Sequence, residues 1–410
     1  MEETDRVGLL EKLGTVQQNQ NSSLPKYVIR SNKLGLDYTA WVQDDTGNNS
    51  KCYVLTIHDI GCSHSVFTEF VSQPEMRALK QRIVWVHVDL PGQEDDAAAL
   101  PIEKYPSLDD IASELINIVD HLNIPQAVIF GEGAGANIAC RFAIEYPTRV
   151  HGLVLVHPTG TTAGFMEMMK DKLNNWKLIH KGMNPDAEAY LIWHRFGRDA
   201  AKKIDRKNSL KSSDDQNKNK TRDLLHECSL TCLLVVFQGY GDSQLLEANI
   251  REFSEKLYQK RTAKNLALFM DAFLNRTNLV DKLDKLTVDC LVAVGKKSSV
   301  ISTTEKFYER LRDSRNNPQK MVNSPLLIAD DVGDVLGEAP DVLAKSMQFF
   351  LQGIGLLSGL PMEAGLVGLG RLSRAMSMED ADRPRRSSVL STPPTTTSPT
   401  TVGSPPKFPL

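Results

Sequence analysis

The 410-residue chain lacks the features that would carry it through or out of a membrane. No stretch reaches the roughly eighteen apolar residues that a spanning helix requires. The acidic start, Met1-Glu2-Glu3-Thr4-Asp5, is followed by no apolar segment of the kind a secretory leader carries. Cysteine is sparse: six residues, at positions 52, 62, 140, 228, 232 and 290, form no C-x-x-C pair and no secreted-type spacing. They read as free or buried thiols of a reducing compartment. A dominant charge is missing too, since a formal net charge of −3 gives no reason to expect nucleic acid. These absences predict a cytoplasmic protein, with peripheral attachment to a membrane as the other option. What is present, 41% hydrophobic residues over 410 positions, suffices for one large α/β domain with tails.

Apolar runs bounded by turn residues predict strands at 27–29, 36–42, 53–57, 83–88, 126–130, 152–156, 289–294 and 326–329. Ser107 is placed to cap a helix running to residue 121, with Asp110 near its positive end and Leu108, Ile111, Leu115, Ile118, Val119 and Leu122 at helical spacing. Repeated βα units of this kind predict a mostly parallel central sheet with helices on both faces. The expected organisation is a flexible arm (1–25), a first core segment (26–159), a helical cap (160–286), a second core segment (287–353) and a disordered tail (354–410). Inside the cap, 202–222 is almost wholly polar and reads as a loop. Phe165, Met166, Met168 and Met169 suit a lid or plain core, and the apolar run 230–237 fits a short strand, a buried helix or an insertion.

One further absence is chemical. Gly131-Glu132-Gly133-Ala134-Gly135 follows a predicted strand and opens a predicted helix, the setting of the G-x-S-x-G nucleophile elbow of α/β-hydrolases. Its middle residue is Gly133, which has no side chain to attack with. His58-Asp59-Ile60-Gly61 stands where such enzymes place a loop whose backbone N–H lines the oxyanion hole. The acid is expected a few residues after strand 289–294, where Gly295-Lys296-Lys297-Ser298-Ser299 has none, or after 152–156, where His157-Pro158-Thr159 stands. The base is expected after 326–329, where Asp330-Asp331-Val332-Gly333-Asp334 stands and no histidine follows. The triad positions thus read Gly133, Ser298 and Asp334, and a triad lacking any one member loses most of its rate.

Four rival readings bear on this region. Gly131, Gly133 and Ala136 also spell G-x-G-x-x-A, but no acid for a ribose follows the next strand. His58, Asp59 and His64 are a poor metal set, without a further ligand at helical spacing. Neither a cofactor nor a metal is therefore expected. Ser63 or Ser65, beside Cys62, could act as a displaced nucleophile in an atypical serine hydrolase, and the old acyl pocket could survive as a lipid or small-ligand receptor.

Together with the run His87-Val88-Asp89-Leu90-Pro91-Gly92-Gln93-Glu94-Asp95, the segments 58–61 and 131–135 resemble those of the N-myc downstream-regulated (NDRG) family. Gly152-Leu153-Val154-Leu155-Val156 and Phe349-Phe350-Leu351-Gln352-Gly353 add to the resemblance, which covers 24–158 and 289–353 but not 202–243. It implies an α/β-hydrolase fold without a working triad, with vestigial elbow glycines 131, 133 and 135 and a vestigial oxyanion loop at His58 and Gly61. It also implies a cytoplasmic adaptor or scaffold in stress response, differentiation, signalling or vesicle trafficking, acting through protein and optionally lipid partners.

Fifteen of the last twenty residues are Ser, Thr or Pro, which cannot supply a core. Arg383 and Arg385 lie five and three residues before Ser388, a spacing that suits a basophilic kinase, and Arg374 repeats it more weakly before Ser377. Thr392, Ser398 and Ser404 each precede proline. Each phosphate would add about −1.5 to −2 charges. Arginines 371, 374, 383, 385 and 386 offer a contact for anionic lipid, weakened by Glu379, Asp380 and Asp382.

Overall fold

The computed structural model describes residues 24–44, 52–161, 178–197, 200, 241–314 and 324–360. The polar loop 202–222, the run 230–237, the cluster at 165–169 and every phosphorylation candidate lie outside them.

The strands are β1 (Lys26–Arg30), β2 (Asp37–Asp44), β3 (Cys52–Ile57), β4 (Ile83–Asp89), β5 (Ala127–Glu132), β6 (Val150–Val156), β7 (Asp289–Gly295) and β8 (Leu326–Ala329). They form one sheet in the order β1-β2-β4-β3-β5-β6-β7-β8. β1 pairs with β2 and β2 with β4 antiparallel, and every pair from β4 onward is parallel. The helices used below are α1 (His64–Ser72), α2 (Leu108–Glu114), α3 (Ile116–His121), α4 (Ala134–Glu145), α5 (Pro185–Phe196), α6 (Gly241–Lys260), α7 (Ala263–Leu274), α8 (Ile301–Ser314), α9 (Val335–Glu338) and α10 (Pro340–Gly353). None among the described residues is long and apolar enough to cross a membrane.

Strands buried on both faces read as continuous apolar runs, and alternate residues go to opposite layers. Leu55, Ile57, Ile129, Leu153 and Leu155 join a core with Ile111, Ile118, Ile138 and Phe142 from α2, α3 and α4. Their neighbours Val54, Val128, Phe130, Val154 and Val156 pack on the other face against Phe67 and Phe70 of α1 and Leu343, Met347 and Phe350 of α10. The helix expected from Ser107 to 121 is interrupted at Leu115, which closes α2 and opens α3. Ser107 does cap it, its Oγ accepting from the Asp110 N–H at 3.1 Å.

Parallel pairing gathers the loops after β3, β5, β6, β7 and β8 along one edge, where open α/β sheets bind ligands. The helices α5 to α7, between β6 and β7, reach this edge. Asn184 caps α5 by accepting from the Ala187 N–H at 3.1 Å, and Pro185 fixes its first turn. Just past α6, Arg261 donates to the carbonyls of Gly61 (3.2 Å) and Gln93 (2.9 Å) and pairs with Asp95 at 3.0 Å.

Candidate functional site

The elbow forms where the sequence places it. Gly131 pairs with Leu155 of β6 one residue before β5 ends, and Gly133 turns the chain into α4 with φ 53° and ψ −111°. That left-handed backbone favours glycine. A Cβ on Gly135 would lie 2.0 Å from the Ile57 carbonyl, so β3 and α4 approach closely only through it.

A Cβ at Gly133 would lie 2.1 Å from the Asp59 Cγ and within 2.3 Å of both its oxygens. The Asp59 carboxylate therefore fills the volume in which a nucleophile's side chain would stand. Its Oδ1 accepts from the Ala134 N–H at 2.8 Å, the amide that follows the nucleophile position and would line an oxyanion hole. Its Oδ2 lies 2.9 Å from His194 Nε2 on α5. Burial pushes this carboxyl up, but His194 and the amides of Ala134 and Ile60 outweigh burial and hold it down at about 2.

A second ion group lies alongside. Arg195, also on α5, donates to Glu132 at 3.2 Å, to Asp334 at 3.0 Å and to the Cys62 sulfur at 2.9 Å, all buried. Burial drives the Glu132 carboxyl up to about 7, Arg195 opposing it and Asp334 and Asp59 adding to it. Arg195 cannot neutralise two carboxylates at once, which agrees with that direction. Asp334 also caps α9, accepting from the Leu336 N–H at 3.1 Å. The residue at the base position is thus an ion-pair partner of the cap.

The remaining sequence candidates are committed locally. His58 is fully buried, bonded through Nδ1 to the Asp59 carbonyl (2.8 Å) and accepting from the Leu90 N–H at Nε2 (3.3 Å); burial lowers its pKa. His64 pairs instead with Asp89 at 2.7 Å and stacks on Trp41. Gly61 takes φ 78° in the same loop. Ser63 caps α1, and its hydroxyl lies 2.8 Å from Asp95 and 3.2 Å from the Ser65 hydroxyl. Ser298 is a buried turn residue whose Oγ accepts from the Val300 N–H at 3.3 Å. His157, held neutral by burial that lowers its pKa to about 4, accepts from the Gly295 N–H at 3.3 Å.

Sequence reasoning missed His194 and Arg195. Basic residues in the last turn of a helix are ordinary, and no motif marks them. Close backbone contacts seat this end of α5: a Cβ on Gly197 would lie 2.1 Å from the Lys297 carbonyl, and one on Gly333 would lie 2.1 Å from that of Phe196. The Ser299 hydroxyl donates to the His194 carbonyl at 3.0 Å. The loops that carry acid and base in hydrolases thus hold the cap helix.

Residues 38–232 and 210–358 match the model of the Ndr family. The chain belongs to the Ndr family. It is 35% identical over 342 residues to an uncharacterised protein of Caenorhabditis elegans, covering 83% of this chain and 87% of that one. Protein NDRG3 of Xenopus laevis is 26% identical over 333 residues, covering 80% and 76%. Among solved structures, an esterase from Thermogutta terrifontis superposes with a TM-score of 0.56 at 15% identity, over 80% of this chain and 98% of its own. The enol-lactonase from Burkholderia xenovorans gives 0.55 at 12% identity, over 80% and 100%. At such identity the likeness shows the α/β-hydrolase fold alone. This Ndr-family chain therefore shares the architecture of those enzymes.

Proposed function

We propose that this Ndr-family chain is a non-enzymatic adaptor built on the α/β-hydrolase fold. The observation that carries this reading is the Asp59 carboxylate, which fills the nucleophile's volume beside Gly133 and occupies the Ala134 N–H. An anion already in that position repels a second one forming there, so the electrostatic assistance on which acyl transfer depends is spent internally. In this reading the chain works in the cytoplasm through protein partners, with anionic lipid as a further contact. It serves stress response, differentiation, signalling or vesicle trafficking, and a basophilic kinase acting at Ser388 or Ser377, or phosphorylation at Thr392 or Ser398, regulates it through the tail.

The test is a serine-directed fluorophosphonate probe and a broad ester panel on the full chain, with Ser63→Ala and Ser65→Ala alongside. The expected result is neither labelling nor turnover. Labelling or turnover that disappears in either variant overturns the reading in favour of a displaced nucleophile.

A further inference from the structure

Arg276 lies two residues beyond α7 and is 8% exposed. Its guanidinium donates to three neutral oxygens: the carbonyls of Phe273 (2.7 Å) and Thr161 (2.6 Å), and more distantly Thr159 Oγ1 (3.4 Å). Its Nε, also buried, has no hydrogen-bond partner. No carboxylate pairs with it among the described residues. A buried cation normally has a counter-ion to offset its lost hydration.

The surroundings sharpen the imbalance. Arg141, whose charge acts on Arg276, bonds to Asp109 at 2.5 Å, and Lys282 takes the same carboxylate at 2.9 Å. Asp109 is thus shared by two cations and is not bonded to Arg276. Burial first, and then Arg141, lowers the Arg276 pKa to about 10, which still leaves it charged at neutral pH. The other buried arginines of the cap region differ: Arg195 has Glu132 and Asp334, and Arg261 has Asp95.

The location suits a ligand. Thr159 and Thr161 follow the C-terminal end of β6, on the edge where this fold binds small molecules. The Phe273 ring lies 3.9 Å beneath the guanidinium and meets the His194 ring at 6.4 Å, so an apolar flank joins Arg276 to the Asp59 pair. A planar guanidinium with an unused N–H matches the oxygens of a carboxylate or phosphate, and stacking on an aromatic face keeps it oriented.

We propose that Arg276 anchors a binding site for a small oxyanion, a carboxylate or a phosphate, with Thr159 and the Phe273 ring at its side. The competing role is purely structural: Arg276 caps the last carbonyls of α7 and needs no ligand. The proposal does not depend on whether the chain is an enzyme.

Isothermal titration calorimetry on the full chain, with sodium octanoate and separately with sodium phosphate, distinguishes the two roles when sodium chloride is the control at matched ionic strength. Saturable binding of at least one anion is expected for the wild type, with affinity at least about tenfold lower in Arg276→Gln and Arg276→Lys, since neither keeps the guanidinium fork. Octanoate alone would identify an acyl carboxylate and phosphate alone a free phosphate; either supports the site. If Arg276→Gln does not fold, Arg276→Lys, which keeps the charge, decides. No saturable heat from either anion, or unchanged affinity in a folded variant, overturns the proposal and leaves Arg276 as a helix cap.

Discussion

At the scale of single residues, Gly133 and Asp59 form one unit although they are far apart in sequence. Glycine at the elbow leaves a void as well as a permissive backbone, and Asp59 fills it. Gly133→Ser would force a side chain into the carboxylate and hold a non-glycine residue at φ 53°, the latter alone costing about 1–3 kcal/mol. Asp59→Ala would leave the Ala134 N–H and His194 Nε2 without the partner each has now, and breaking a buried pair costs about 3–5 kcal/mol. The double variant removes the collision, so its loss should fall short of the two single losses combined by at least about 1 kcal/mol. Urea denaturation of the four proteins measures that coupling. Additivity to within about 0.5 kcal/mol would show that the two positions do not share the volume. The elbow itself was legible, because glycines at 131, 133 and 135 between a strand and a helix leave few other structures. Its occupant was not, because nothing local to His58-Asp59-Ile60-Gly61 says that this carboxylate turns toward α4.

At the scale of elements, α5 is fastened to the sheet edge through buried charge. Its Arg195 lies between Glu132 from β5 and Asp334 at the start of α9. The strands beneath were readable because buried parallel strands are continuous apolar runs, and Ser107 supplies a recognisable cap. The latch was not readable, since His194 stands 135 residues from Asp59 and Arg195 stands 139 from Asp334. Such pairings depend on how the cap docks, which local periodicity does not encode. The latch has a pH signature. Glu132 titrates near 4.5 unfolded and about 7 folded, so folding favours its protonated form. Its contribution is fully present below about 4.5 and is lost as pH rises through about 7. Glu132→Gln mimics the protonated form. Its stability relative to wild type should therefore rise across that window and level off above it. Histidines with lowered pKa values, such as His58 and His157, titrate in both proteins and cancel in the difference. Denaturant midpoints taken across the window measure the effect, and a difference that stays flat would mean that Glu132 is ionised throughout.

At the scale of the whole chain, the question is where the folded unit ends. The motifs read from the sequence stop at Gly353 and the family model at residue 358, yet the core continues to Leu360. Leu360 is buried and joins the layer of Leu343, Phe350 and Leu351, against which Ile354, Leu356 and Leu357 also pack. Its carbonyl accepts from Gln352 Nε2 at 2.9 Å, closing the segment back on α10. Composition alone starts the disordered tail at residue 354, and only the packing of Leu360 shows that 354–360 belongs to the core. Truncation after Leu360 should therefore leave the melting temperature within about 2 °C of the full chain, because each kcal/mol shifts it by about 2–4 °C in a unit of 150–250 residues. Truncation after Gly353 should lower it by more than about 4 °C, since several apolar side chains lose their burial at roughly 1.5–3 kcal/mol each when complete. Calorimetric scans of the three proteins measure both. A loss on removing 361–410 alone would give those residues a share in folding stability.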